Sequence, residues 1–107
     1  MGIRYLFNSS GEWIAFTKGR YVFDTEGSWI GWLPWNINDV VDINGLYLGT
    51  IVGKNRFYRF INKPYRGYPG YPGYPGYPGY PGYPGYAGYS PLPPMAEDID
   101  MERVERF

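Results

Sequence analysis

From Gly67 to Tyr89 a glycine stands at every third position and a tyrosine follows each one. Proline fills the third place of each triplet as far as Pro84, and Ala87 breaks the pattern. So regular a tract reads as a structural or adhesive device, because proline has no amide hydrogen to donate and glycine no side chain to do chemistry. It also excludes catalysis within the tract, whose one repeated chemistry is the phenol of Tyr68, Tyr71, Tyr74, Tyr77, Tyr80, Tyr83, Tyr86 and Tyr89. Three states remain open. Glycine at every third position satisfies the collagen rule, a polyproline II or coil segment is the second reading, and self-association through the tyrosines is the third.

The tract divides the chain. Residues 1–63 form a candidate head, 64–94 the Gly-Tyr-Pro repeat with its proline-rich end, and 95–107 a short charged segment. That last segment is read as a short helix, with acidic residues first, arginines last and Glu102 four residues before Arg106. A head of this size buries only about 60% of its unfolded surface and needs help to be stable. Cysteine and histidine are both absent from the 107 residues, so neither disulfides nor imidazole ligands supply that help. Aromatic residues do, with Trp13, Trp29, Trp32 and Trp35 among them.

The formal net charge is zero but unevenly placed: residues 1–66 carry eight Lys/Arg against five Asp/Glu, and residues 96–107 carry five Asp/Glu against two Arg. The basic cluster Lys54, Arg56, Arg59, Lys63 and Arg66 is weak support for nucleic-acid binding, which is not expected. No apolar run is long enough to cross a membrane and no signal peptide is evident, so the cytoplasm is the default location, with signal-independent export left open.

The head is itself a repeat. Arg4-Tyr5-Leu6-Phe7-Asn8-Ser9-Ser10-Gly11-Glu12-Trp13-Ile14-Ala15-Phe16 aligns without gaps on Arg20 through Trp32, and Val40 through Ile51 is a third copy. A fourth begins at Arg56 and stops at Phe60. Each full copy reads as a β-hairpin. Asn8, Asp24 and Asp42 precede Gly11, Gly27 and Gly45 by three residues, the pattern of a type I turn closed by a glycine bulge. Strands are predicted near 4–7, 13–16, 20–23, 29–32, 40–43, 46–52 and 56–60, in an all-β fold of short antiparallel hairpins followed by an extended, polyproline II-like tail. Ala15, Gly31 and Gly49 share one repeat position, which implies a crowded centre.

These motifs, Asn8 to Ala15, Asp24 to Gly31 and Asp42 to Gly49, resemble the bacterial 4-fold β flower domain over residues 3 to about 60. The resemblance implies about four small β units around a pseudo-fourfold axis and a proline-rich tail. It implies no activity.

Trp13, Trp29 and Tyr47 coincide in the repeat and alternate with the aliphatic set, so they either pack or form a stacking platform. Trp35 lies outside the repeat register, in the connection 33–39, and is the candidate for an exposed stacking residue. No catalytic pair, cofactor motif or metal-ligand spacing is present, and Asp24 and Asp42 are accounted for as turn residues. The expected function is therefore non-enzymatic and structural, with self as partner through the eight tyrosines. The alternative is a module that binds glycan, peptide or nucleic acid through Trp35, Trp13, Trp29 and Tyr47. Pro91-Leu92-Pro93-Pro94 matches the core of a ligand for proline-rich-motif-binding proteins.

Overall fold

Each head unit is organised by its Asx–Gly pair. Gly11, Gly27 and Gly45 have φ of +92°, +88° and +86°, a region that side-chain-bearing residues avoid. Their amides donate to the carbonyls of Asn8, Asp24 and Asp42 at 3.1, 3.1 and 3.0 Å. The Asx side chains accept as well: Asn8 Oδ1 from the amide of Glu12, Asp24 Oδ1 from Glu26 and Ser28, and Asp42 Oδ1 from Asn44 and Leu46. Beside every turn the pairing slips by one residue, at Leu6/Phe7, Val22/Phe23 and Val40/Val41. The expected turn and its bulge are thus present in all three copies.

A computed structural model describes residues 2–35, 37–64 and 66–107, so Asn36 of the 33–39 connection lies outside the described residues. Eight strands follow in chain order: β1 (Ile3–Phe7), β2 (Trp13–Lys18), β3 (Tyr21–Asp24), β4 (Trp29–Trp32), β5 (Asp39–Asp42), β6 (Tyr47–Val52), β7 (Arg56–Phe60) and β8 (Ala96–Asp98). Each pairs antiparallel with the next, and β7 also meets β1 at Phe7–Arg56, which closes seven strands into a barrel. The Phe7 amide donates to the Asn55 carbonyl at 2.8 Å at that seam, and the Arg56 guanidinium donates to the Asn8 carbonyl at 2.8 Å.

Two apolar clusters divide the interior by chemistry. Leu6, Ala15, Val22, Ile30, Val40, Leu48, Ile51 and Phe57 form an aliphatic centre with Ile99 and Val104 from the C-terminal segment. Phe16, Phe23 and Trp29 form an aromatic cluster flanked by Tyr5, Trp13, Tyr21, Trp32 and Ile43. The small repeat position is crowded as expected. A Cβ on Gly31 would lie 2.2 Å from the Val41 carbonyl oxygen, and one on Gly49 would meet Ile99 and Phe57 within 2.8 Å.

The fourth unit does not stop at Phe60. Strand β7 pairs with β8 through Tyr58–Asp98, Arg59–Glu97 and Phe60–Ala96, so the fourth hairpin is completed on the far side of residues 61–95. Ile99 enters the aliphatic centre alongside Ile30 and Leu48 of the earlier copies. The Gly-Tyr-Pro tract is therefore the loop of the fourth hairpin, tied down at both ends, and not a free tail.

Two further expectations are corrected. The helix expected over the last residues is replaced by β8 and one 3₁₀ turn, Met101–Arg103, because the edge of β7 offers these residues ladder hydrogen bonds that an isolated short helix cannot match. Arg106 accordingly pairs with Asp24 at 2.6 Å, not with Glu102. In the tract, all eight glycines have φ between +85° and +94°. Polyproline II and collagen need φ near −75° at every residue, so the tract is neither; its backbone turns to positive φ at each glycine.

Candidate functional site

The loop of the fourth hairpin lies as a strap over the aromatic side of the barrel, and its partners recur at regular spacing. Tyr71 and Tyr74 approach the Trp29 indole at 5.7 and 6.0 Å between ring centroids. Nine residues further on, Tyr80 and Tyr83 approach Trp13 at 5.9 and 6.0 Å. The turn glycines follow the same interval. Tyr68 packs over Gly45 and Tyr77 over Gly27, so close that a Cβ at either glycine would meet the ring within 2.6 Å. One head unit thus takes three triplets, and the strap visits the units in reverse chain order. Turn glycines at hairpin tips usually face water; here Gly11, Gly27 and Gly45 are all buried beneath the strap.

At the first unit the stride ends and backbone contact takes over. Ala87 donates its amide to the Gly11 carbonyl at 2.9 Å, and Ser90 donates to the Ser9 carbonyl at 2.8 Å. Proline could not make the first of these bonds, so the one break in the Gly-Tyr-Pro pattern coincides with the strap's anchoring amide. Arg56 donates to the Gly88 carbonyl at 2.9 Å, and the Tyr5 hydroxyl donates to the Pro81 carbonyl at 2.8 Å. Ser9 is bound from the other side too, its amide and hydroxyl both donating to the Asp98 carboxylate.

The repeated tryptophans are held from within as well. Each indole N–H donates two residues along its own strand, Trp13 to the Ala15 carbonyl at 2.8 Å and Trp29 to the Gly31 carbonyl at 2.7 Å. Trp29 is only 1% exposed and so does not serve as a surface stacking residue. Phe107 accounts for the difference from half-buried Trp13: it stacks on Tyr74 at 4.0 Å, lies 5.9 Å from the Trp29 ring, and donates its amide to the Trp29 carbonyl at 3.1 Å. Tyr47, the third copy's counterpart, has no indole to cover. Its hydroxyl bonds Thr50 at 2.8 Å and accepts the Phe60 amide, and the Arg59 guanidinium lies 5.9 Å over its ring.

Trp35, expected to be exposed, is half-buried beneath Arg66, whose guanidinium is 5.8 Å from the ring centroid. Arg66 and Lys63 both pair with Asp39, which is 2% exposed and accepts a further bond from Thr50 at 2.7 Å. The cluster considered for nucleic acid is thus largely engaged: Arg56 on carbonyls, Arg59 on Glu97, Lys63 and Arg66 on Asp39.

The phenols face outward. The eight strap tyrosines are 47–73% exposed, and six of them, Tyr68, Tyr71, Tyr74, Tyr77, Tyr80 and Tyr83, also set a ring against the barrel. Among the described residues no group of three or more metal-ligating side chains gathers, and no helix is long and apolar enough to cross a membrane.

The fourfold hairpin plan and the closed barrel both bear on what the chain is related to. Comparison with curated proteins and with solved structures gives no match. The sequence model of the 4-fold beta flower protein family matches residues 2–99, a span that takes in the strap and β8 as well as the head. The chain belongs to the 4-fold beta flower family.

Proposed function

We propose that this is a non-enzymatic structural protein that self-associates through the tyrosine belt its strap displays. One observation carries the reading: eight half-exposed to largely exposed phenols run along one side of a folded barrel, with no charged side chain between Arg66 and Glu97 to keep copies apart. An uncharged aromatic surface that recurs every third residue suits many weak contacts acting together. The belt is rigidly backed, so less ordering entropy opposes association than for a free tail.

The test replaces Tyr86 and Tyr89 with serine, sparing the six tyrosines whose rings lie on Trp13, Trp29, Gly27 and Gly45. Sedimentation velocity over a wide concentration range should show association of the parent chain and its loss in the variant, with little change in melting temperature. A parent chain that stays monomeric near millimolar concentration defeats the reading.

A second reading, a binding module, narrows to two places. Trp35 is half-buried, with the Arg66 guanidinium on its ring, and Pro91, Leu92 and Pro94 stay exposed where a proline-rich-motif-binding domain would reach them. Trp35→Ala and Leu92→Ala, compared in a binding screen, separate these two places.

A further inference from the structure

We propose that the aromatic side of the barrel is a receptor for Gly-Tyr-Pro tracts, read at three triplets per head unit, and that it accepts the strap of a second copy in place of its own. This deepens the assembly reading by naming the segment exchanged, but it rests on the inner edges of the tyrosines and not on their exposed faces.

The nine-residue stride is the first support. Tyr71 and Tyr74 on Trp29 are matched by Tyr80 and Tyr83 on Trp13, and Tyr68 on Gly45 by Tyr77 on Gly27. A loop merely collapsed on an apolar surface has no reason to match its period to that of the surface. The match makes the head a template with two kinds of recurring subsite, an indole taking two tyrosines at Trp13 and Trp29 and a turn glycine taking one at Gly27 and Gly45.

The second support is that the barrel is incomplete without what the strap brings with it. Strand β8, Ile99 in the aliphatic centre, the Asp98 contact to Ser9 and the Arg106–Asp24 pair all lie beyond the strap. The segment from Lys63 to Phe107 therefore fills a built site, and every contact it makes is the same whether it arrives from its own chain or another. The linkage that keeps it in cis is short and surface-placed: Ile61 and Asn62 are both exposed. Such a joint between two packed elements is the ordinary setting for exchange between copies.

The decisive experiment cuts that joint. A protease site inserted between Asn62 and Lys63 converts the folded chain into two pieces, all residues retained. The cut protein is unfolded in urea with one added peptide, equal in amount to the native 63–107 piece that the cut releases, in which residues 67–89 are shuffled and 90–107 unchanged. Dilution refolds the mixture, and native mass spectrometry counts which peptide each 1–62 piece has captured. Each of four ring contacts contributes at least about a factor of two, so the native peptide should be captured at least roughly tenfold over the shuffled one. Equal capture would assign all recognition to β8 and the C-terminal residues and overturn the proposal. Capture of neither peptide would overturn it equally. Because outer phenols are present in both peptides, failure here leaves the exposed-belt reading untouched, and failure of that reading leaves this result untouched.

Discussion

The molecule contains two repeats, and they are ordered by opposite means. In the hairpin repeat each copy carries its own instructions: an Asx side chain that caps the turn, a glycine with positive φ, and a ladder of backbone hydrogen bonds to both neighbours. The tripeptide repeat carries almost none. Its prolines cannot donate, and it reaches the barrel by ring edges and by a few bonds at Pro81, Ala87, Gly88 and Ser90. The difference teaches that a periodic sequence without ladder donors takes its conformation from the surface it lies on. The strap is ordered because the barrel beneath it has a matching period.

The strongest way to break that comparison is to remove the template. Phe57 is fully buried in the aliphatic centre, and its ring lies where a Cβ on Gly49 would intrude. Phe57→Ala should cost about 3–5 kcal/mol by lost burial and a residual cavity. Urea unfolding followed by tyrosine and tryptophan signals should then show strap and barrel melting together. A tyrosine signal that persists after the barrel has unfolded would mean that the strap holds its shape unaided.

Much of the barrel was legible in the residues, because its determinants are local. The seven predicted strands fall within one or two residues of β1 to β7, and Gly11, Gly27 and Gly45 have the expected positive φ. Closure of β7 on β1 was likewise within reach, since the fourth Arg-aromatic run needs a neighbour. What could not be read was the return of the chain. Ala96–Asp98 has no β-branched or aromatic residue, and its pairing is a long-range event after 61–95. The one local hint lay in Ile99, which stands where a fourth copy of Ile14 and Ile30 would fall. The residues left Trp29 open between packing and surface stacking for the same reason, since the cover that buries it comes from Tyr71, Tyr74 and Phe107, remote in sequence.

The two tryptophans sharpen the comparison, because they occupy one repeat position, each takes two strap tyrosines, and Phe107 lies on Trp29. Trp29→Ala should cost about 3 kcal/mol, near the lower end for a buried tryptophan because some of its contacts are to tyrosines that can settle inward. Trp13→Ala, at a half-buried site, should cost roughly half as much. Phe107→Ala should bring the first value toward the second, measured as the difference between Trp29→Ala in the parent and in the Phe107→Ala background. If the two single tryptophan variants prove equally unstable, Phe107 is not what distinguishes the sites.

The smallest expected effect tests what sets the register of the strap. Sliding the tract by one triplet would replace every tyrosine with a tyrosine and every proline with a proline, so the ring contacts alone do not choose among registers. Ala87 and Ser90 do, because their amides stand where earlier triplets have a proline nitrogen, and they meet the Gly11 and Ser9 carbonyls at 2.9 and 2.8 Å. Ala87→Pro removes the first of these donors, leaving the Gly11 oxygen short of a partner, and should cost about 1 kcal/mol. Pro84→Ala, one triplet earlier, adds a donor that the strap does not use and loses only chain stiffness, a cost of about 0.5 kcal/mol. Amide hydrogen exchange at Ser90, which donates to the Ser9 carbonyl, reports on register directly. It should quicken in Ala87→Pro by more than the loss in global stability explains, and in Pro84→Ala by no more than that loss. Unchanged protection of Ser90 in Ala87→Pro would show that β8 alone holds the strap in place, since β8 is fixed to β7 only six residues further along the chain.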